Sequence, residues 1–293
     1  MKPTFVYDDK LLENEDRFTD PFFKRYKLKP ADQPLQLDKQ IRKTYLFPTF
    51  YRDVTCSIAI FLCNYEQAEK LMPHPEIKPI KMPNNRSLVV FSSYIYNEVL
   101  GIQPYNEVAM SIPILVNPSR NPMVLPLVLE NLFKNFGYYV FSMPVTSQEN
   151  CIRGNEIWGL PKVVQEIDIY EEKEQVITIV KEYDGTPYLT LTLPSTGKQK
   201  KFDVTSNLYT VLNGDLLQNE TSFQGDFTIQ RNMRKLLSIE NRSKAIKIGK
   251  SPHGDLLNQL QIEEEPLQVR FAKGMNSCFH LPNERYKAPI NMG

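Results

Sequence analysis

The stretch Cys151-Ile-Arg-Gly-Asn-Glu-Ile-Trp-Gly-Leu-Pro-Lys162-Val-Val holds the only tryptophan of the chain, Trp158, and two of its twelve glycines. Lys162 follows a proline and lies between apolar neighbours, Leu160 and Pro161 before it and Val163 and Val164 after it. A lysine head group is strongly hydrated and belongs at a surface. In such a run it either snorkels from the end of a strand or is held in a dry pocket. The two placements differ in chemistry. A free amine with a pKa near ~10.4 is neutral in only about one molecule in a few thousand at pH 7. Desolvation disfavours the ammonium and lowers that pKa by up to about 3–5 units, which frees the nitrogen to attack a carbonyl. A four-unit drop is worth roughly 5.4 kcal/mol and takes real burial or a close cation. The residue types alone leave both placements open.

Gly154-Asn-Glu-Ile-Trp-Gly-Leu-Pro-Lys162 resembles the lysine motif of the acetoacetate decarboxylase family, approximately G-R-E-x-x-x-[FY]-P-K-K, with glycine, glutamate, proline and first lysine at matching spacing. Upstream, Tyr105-Asn-Glu107-Val-Ala-Met-Ser-Ile112-Pro113 is similar to the family's Y-x-E-x-x-x-x-I-P segment. Glu107 and Lys162 are 55 residues apart, more than in the family, so an insertion is expected around Asn117–Gly137. The resemblance covers roughly residues 46–285 and is specific at 105–113 and 154–162.

What the resemblance implies is a mainly β fold with a few helices (α+β), a large antiparallel closed barrel or cone with the lysine pointing inward. It implies a homo-oligomer, with neither cofactor nor metal. Its chemistry is a Schiff base between Lys162 and a small β-keto acid, followed by loss of carbon dioxide, a reaction for which acetoacetate decarboxylase is a known example of an activated lysine. Glu107 would orient the substrate or relay protons. Glu156 and Trp158 would shape the surroundings of the lysine. Counting back 15 residues from Glu107, a second active-site glutamate of the family falls on Ser92. Val163 stands where the family has a second lysine. The family's carboxylate-binding arginine is approximated by Arg52, two residues from the direct match at Val54; a two-residue shift in a strand keeps the same face.

The rest of the chain fits a soluble globular protein. Of 293 residues, 41% are hydrophobic and 24% charged, and the net charge of +1 points to neither a polyanion nor a membrane surface. Twenty-two prolines against twelve glycines favour strand ends and irregular connections over long helices. The start of the chain lacks the apolar core of a signal peptide, and no run of 18 apolar residues offers a membrane span. Cys56, Cys63, Cys151 and Cys278 form no C-x-x-C pair, so reduced thiols in a cytoplasmic protein are expected. Residues 1–45 read as a polar arm whose aromatics pack on a neighbouring subunit rather than hang in solvent, and 46–293 as one domain.

Within the domain, Val54–Leu62, Ser87–Asn97 and Glu107–Val116 read as strands, and Asn64 as the cap of a helix over Tyr65–Met72. Met123–Phe136 has helical spacing. Further strands are expected at Gln165–Tyr170, Gln175–Glu182, Pro187–Leu193, Leu208–Leu212, Phe227–Arg231 and Leu267–Ala272. Asp184-Gly185 supplies a hairpin turn and Gly197–Lys201 a basic loop. His74, His253 and His280 lack metal-ligand spacing, and no phosphate-binding or nucleophile-elbow motif occurs. The basic segment Arg231–Lys250 reads as a solvated face, or one at a subunit contact, rather than a nucleic-acid module. The leading expectation is decarboxylation of acetoacetate or a related β-keto acid. The alternatives are a Schiff-base aldolase or dehydratase on the same scaffold, which the iminium serves equally well, and a non-catalytic barrel that binds a small apolar or acidic ligand.

Overall fold

The computed structural model describes residues 1–73, 75–118, 121–124, 133, 135–282 and 287–289. After the arm come β1 (Thr49–Asn64), α1 (Tyr65–Lys70), β2 (Ile77–Pro79), β3 (Arg86–Val99), β4 (Tyr105–Val116) and β5 (Phe136–Val145). Helix α2 (Gln148–Trp158) leads into β6 (Lys162–Val164), β7 (Ile167–Glu172), β8 (Gln175–Lys181) and β9 (Pro187–Pro194). The chain continues through β10 (Lys198–Leu212), β11 (Asp215–Arg231), β12 (Ile246–Ile248), α3 (Pro252–Gln259) and β13 (Gln268–Phe279).

Seven strands close a barrel in the order β1-β3-β4-β5-β10-β11-β13 and back to β1. Neighbours are antiparallel except where β5 meets β10, paired in parallel at Tyr138↔Leu208 and Tyr139↔Tyr209. β6 continues that seam, parallel to β5, with Lys162 opposite Met143. The lysine therefore enters the barrel wall at its one parallel junction. A second, four-stranded sheet, β7-β8-β9-β12, covers one side.

The long apolar runs of β1, β3 and β4 follow from this layering. Side chains alternate in direction along a strand. Phe61, Val89, Val108 and Ile112 face outward and pack against Val180, Leu189, Leu191 and Ile246 of the second sheet. Ile58, Ile60, Val90 and Ala109 face inward on a cavity. Both faces are buried, so the sequence shows continuous hydrophobicity rather than alternation. A hydrogen bond from Thr178 Oγ1 to Ser93 Oγ (3.0 Å) ties the two sheets.

Several local expectations change. The segment before Lys162 is helical, not extended, because Ser147 caps α2 and Gly159 ends it in the left-handed region at φ 62°. Residues 198–201, read as a basic loop, are the start of the 15-residue strand β10. Helix α3 carried too short an apolar pattern to stand out. Asn64 does cap α1, its Oδ1 accepting from Gln67 N at 3.1 Å, although the helix stops at Lys70. The helix expected over Met123–Phe136 lies for the most part outside the described residues, and Phe136 itself opens β5.

The arm packs on its own chain. Phe18, Phe22 and Phe23 are buried against Phe50, Leu100 and Cys278. A buried ion pair, Lys43 Nζ to Glu149 Oε1 at 2.5 Å, joins the arm to α2, and Tyr45 Oη donates to the same oxygen at 2.8 Å. The basic segment is not a solvated face throughout: Arg234 pairs with Glu265 at 2.6 Å, and the fully buried Lys235 pairs with Glu263. All four cysteines are buried and free. Among the described residues, no helix is long and apolar enough to cross a membrane.

Glu149→Ala leaves the Lys43 ammonium buried without its counter-ion, and urea unfolding should show a loss of about 3–5 kcal/mol. The double variant Lys43→Met/Glu149→Leu, which removes both charges, should recover most of that loss.

Candidate active site

The backbone around Lys162 is fixed from α2. Asn155, one turn from the end of the helix, clamps it at two points: Lys162 N donates to Asn155 Oδ1 at 2.9 Å, and Asn155 Nδ2 donates to Lys162 O at 3.2 Å. The Cys151 thiol also donates to Lys162 O, at 3.3 Å. The side chain then runs across Gly154. A Cβ built on Gly154 would lie 2.3 Å from Lys162 Cδ and 2.6 Å from Cε, well inside contact distance. The motif's glycine is thus a groove for the lysine stem, independent of any need for unusual backbone angles.

The amine ends against Glu107. Lys162 Nζ lies 2.6 Å from Glu107 Oε2, and the two side chains are 5% and 6% exposed. Asn150 Nδ2 approaches the same oxygen at 3.4 Å, and Tyr96 Oη donates to Oε1 at 3.3 Å. Burial pushes the Lys162 ammonium below its ordinary value; Glu107 opposes that shift, and the nearby Arg153 guanidinium adds to it. A cluster of tyrosines, Tyr51, Tyr94, Tyr96 and Tyr105, surrounds the pair. Burial raises Tyr51 to about 12 and the other three well above their usual value, so all four hydroxyls stay protonated.

The pair opens on a cavity of about 130 Å³ inside the barrel, walled by side chains such as Ile58, Val90, Val140, Leu208 and Phe223. That is close to the size of an apolar cavity of ~150 Å³ that takes one benzene, so a small substrate fits. Three charged side chains reach it among the described residues: Glu107, Lys162 and Arg270. Among those residues no cluster of His, Cys, Asp and Glu has the form of a metal site.

The structure brings some of the expected residues together and separates others. Lys162, Glu107 and Ser92 all line the cavity. Arg52 does not. It lies 43% exposed, paired with Glu98 at 2.8 Å. The argument that two residues preserve the face fails because Asp53 is left-handed (φ 52°) and β1 carries an extra residue there, with Met275 opposite Val54 but Ser277 opposite Tyr51. This bulge turns Tyr51 inward and Arg52 out. Glu156 is exposed on the outer side of α2 and does not shape the lysine's surroundings. Trp158 is buried behind the site, its Nε1 donating to His280 O at 2.8 Å and its ring packed on Phe47 and Phe279; it does not line the cavity. Val163 likewise stays off the cavity wall.

Arg270 is the charged residue of the cavity wall that sequence reasoning missed. It sits on β13 level with Ile58 of β1 and, through it, with Ser92 of β3. Its guanidinium stacks 5.3 Å from the Phe202 ring, and its Nε is buried without an acceptor. No carboxylate pairs with it among the described residues. The available signal was an arginine between the apolar residues Val269 and Phe271.

Comparison with known proteins agrees with this fold. The profile of the family described as Acetoacetate decarboxylase (ADC) matches residues 32–268. An acetoacetate decarboxylase structure from Legionella pneumophila subsp. pneumophila superposes with a TM-score of 0.56 at 13% identity, covering 84% of this chain and 89% of that one. A second acetoacetate decarboxylase structure gives 0.56 at 13% identity, over 82% and 90% of the chains. The enduracididine biosynthesis enzyme MppR, complexed with pyruvate, gives 0.57 at 11% identity, over 80% and 90%. No curated protein sequence matches significantly. These likenesses establish the fold, and with a profile that spans most of its length the chain belongs to the acetoacetate decarboxylase (ADC) family.

Proposed function

We propose that the protein decarboxylates acetoacetate or a related small β-keto acid through a Schiff base on Lys162. The observation that carries this reading is the buried amine, 2.6 Å from Glu107 Oε2, at the wall of a small apolar cavity. At that separation the lysine proton passes to Glu107, leaving a neutral nucleophile and a carboxylic acid. The amine adds to the ketone, and Glu107 protonates the departing oxygen as water leaves and the iminium forms. That cation lies two bonds from the bond to the substrate carboxylate. It accepts the electron pair of that bond as carbon dioxide departs, giving an enamine. Protonation at carbon and addition of water then release the ketone and restore the lysine. The apolar walls favour a step in which a carboxylate charge disappears, and Tyr96 and Asn150 hold Glu107 toward the reacting nitrogen. Arg270, the remaining cation of the cavity, receives the acid.

One observation favours a second reading. A guanidinium that grips a carboxylate throughout stabilises the very charge that decarboxylation removes. An acid retained on Arg270 is better used as a fixed handle while the iminium activates the neighbouring carbon, as in Schiff-base aldol or dehydration chemistry. Ser92, a hydroxyl where the family has a second glutamate, is compatible with that use, and MppR is a structural neighbour that was solved with pyruvate.

The test is incubation with acetoacetate, and separately pyruvate, in the presence of borohydride, followed by peptide mapping and assay of carbon dioxide. Adduct on Lys162 with carbon dioxide released from acetoacetate supports the first reading. Adduct without carbon dioxide supports the second, and no adduct with either acid removes both. Gly154→Ala, whose methyl displaces the lysine stem, should lower adduct formation about 10²-fold or more with the fold intact by circular dichroism. Arg270→Met should raise KM for the acid by roughly 10–100-fold, the loss of a charged hydrogen bond worth about 1.5–3 kcal/mol.

A further inference from the structure

We infer that the substrate is an unbranched β-keto acid longer than acetoacetate, whose propyl-sized alkyl arm lies in the closed, aliphatic end of the barrel cavity. The inference rests on the Schiff-base reading and names the substrate class for it.

The strand registers set the cavity wall in rows. Glu107 of β4 stands level with Tyr94 of β3 and Cys56 of β1. In the next row Ala109 stands level with Ser92, Ile58 and Arg270. In the third, Ser111 stands level with Val90 and Ile60, and with Val140 of β5 on its other side. All of these side chains line the cavity. Glu107 and Ser111 are four residues apart, about 13 Å along the strand at ~3.3 Å per residue. The amine of Lys162 belongs to the first row through its contact with Glu107. Acetoacetate carries a single methyl beyond its ketone carbon, so that arm stays near the first row and leaves the third unfilled.

The third row has the character of an alkyl site. It ends blind: Ile60 and Tyr138 of the cavity wall pack on an apolar cluster that includes Leu62, Leu88 and Phe136, none of which lines the cavity. The three charged side chains that reach the cavity among the described residues lie in the first two rows. The path to the third follows β4, whose side chains on this face, Ala109 and Ser111, are small. Arg270 leaves that path open, because β13 is three strands from β4, on the other side of the seven-stranded barrel. A substrate can therefore lie with its carboxylate toward Arg270 and its arm along β4. Beyond the Glu107 row in the opposite direction, the rings of Tyr51, Tyr96 and Tyr105 pack on one another at 4.5 and 4.9 Å between centroids and crowd the space. A cavity of about 130 Å³ that runs over three rows is narrow. It suits a chain of methylenes better than a ring or a branch, and each methylene taken out of water, worth ~0.8 kcal/mol, gains about fourfold.

Borohydride trapping from an equimolar mixture of acetoacetate, β-ketohexanoate, β-ketooctanoate and benzoylacetate measures the preference. The adduct masses on the Lys162 peptide report which arm was bound, whether or not carbon dioxide has left. Adduct from β-ketohexanoate, with two more methylenes, should exceed that from acetoacetate about tenfold or more. It should also exceed the adducts from the longer chain and from the phenyl arm. Ala109→Leu, which narrows the path between the first and third rows, should cut the ratio of β-ketohexanoate to acetoacetate adduct about tenfold, with the fold checked by circular dichroism. Val90→Phe, which fills the third row, should do the same and serves if the first variant fails to fold. A ratio near one in the natural protein, a preference for benzoylacetate, or a folded variant with an unchanged ratio overturns the inference. Absence of every adduct removes the Schiff-base reading instead, and calorimetry with butanoate and hexanoate, which carry no ketone, then decides the alkyl site by itself. Affinity that rises about tenfold from butanoate to hexanoate in the natural protein, and not in Ala109→Leu, upholds that site, and equal affinities overturn it.

Discussion

The contact between Lys162 Nζ and Glu107 Oε2, 2.6 Å long and closed off from solvent, sets what the rest of the molecule must provide. In water an amine and a carboxylate at this distance are an ordinary ion pair. Inside a barrel walled by aliphatic and aromatic side chains, the charged and neutral forms of the pair come closer in energy, because the ions lose their hydration. Such a pair can pass its proton back and forth at small cost. The fold supplies the three conditions this requires: a barrel interior to exclude water, a strand that delivers the carboxylate, and a rigid helix end that delivers the amine.

Each condition has a local cause. β4 presents Glu107, Ala109 and Ser111 to the interior while Val108 and Met110 seal it from outside under the second sheet. The amine arrives at a parallel seam of the barrel, the only one among the described residues, where β6 is three residues long and Asn155 holds the main chain of Lys162 on both its N–H and its carbonyl. Gly154 leaves the space through which the stem passes. Arg270 brings a positive charge to the cavity wall, while Arg153 is buried off that wall.

Much of this was legible in the residues, and what was not has definite reasons. The strands of the barrel wall announce themselves as apolar runs, since both faces are buried, and Glu107 and Lys162 stand out through the spacing of their motifs. The helix before Lys162 does not, because its apolar residues are sparse and its end is set by Gly159 and by tertiary contacts of Trp158. Arg52 was misplaced by a bulge at Asp53, and a single inserted residue reverses every face beyond it. Arg270 was missed because a lone arginine in a strand gives no pairing information until the barrel closes and puts β13 two strands from Ser92. Glu156 kept its motif position yet points to solvent, a reminder that a matched letter fixes a place along the helix and not a direction in space.

The most direct measurement is the titration of the Lys162 side chain itself in the free protein, followed by heteronuclear NMR on lysine-labelled material, with Lys162→Met to assign the signal. The account predicts a midpoint clearly below the ordinary lysine value of 10.5. A midpoint at or above 10.5 would mean that Glu107 outweighs burial and that the amine is simply one half of a permanent ion pair, and that result would contradict the account at its root.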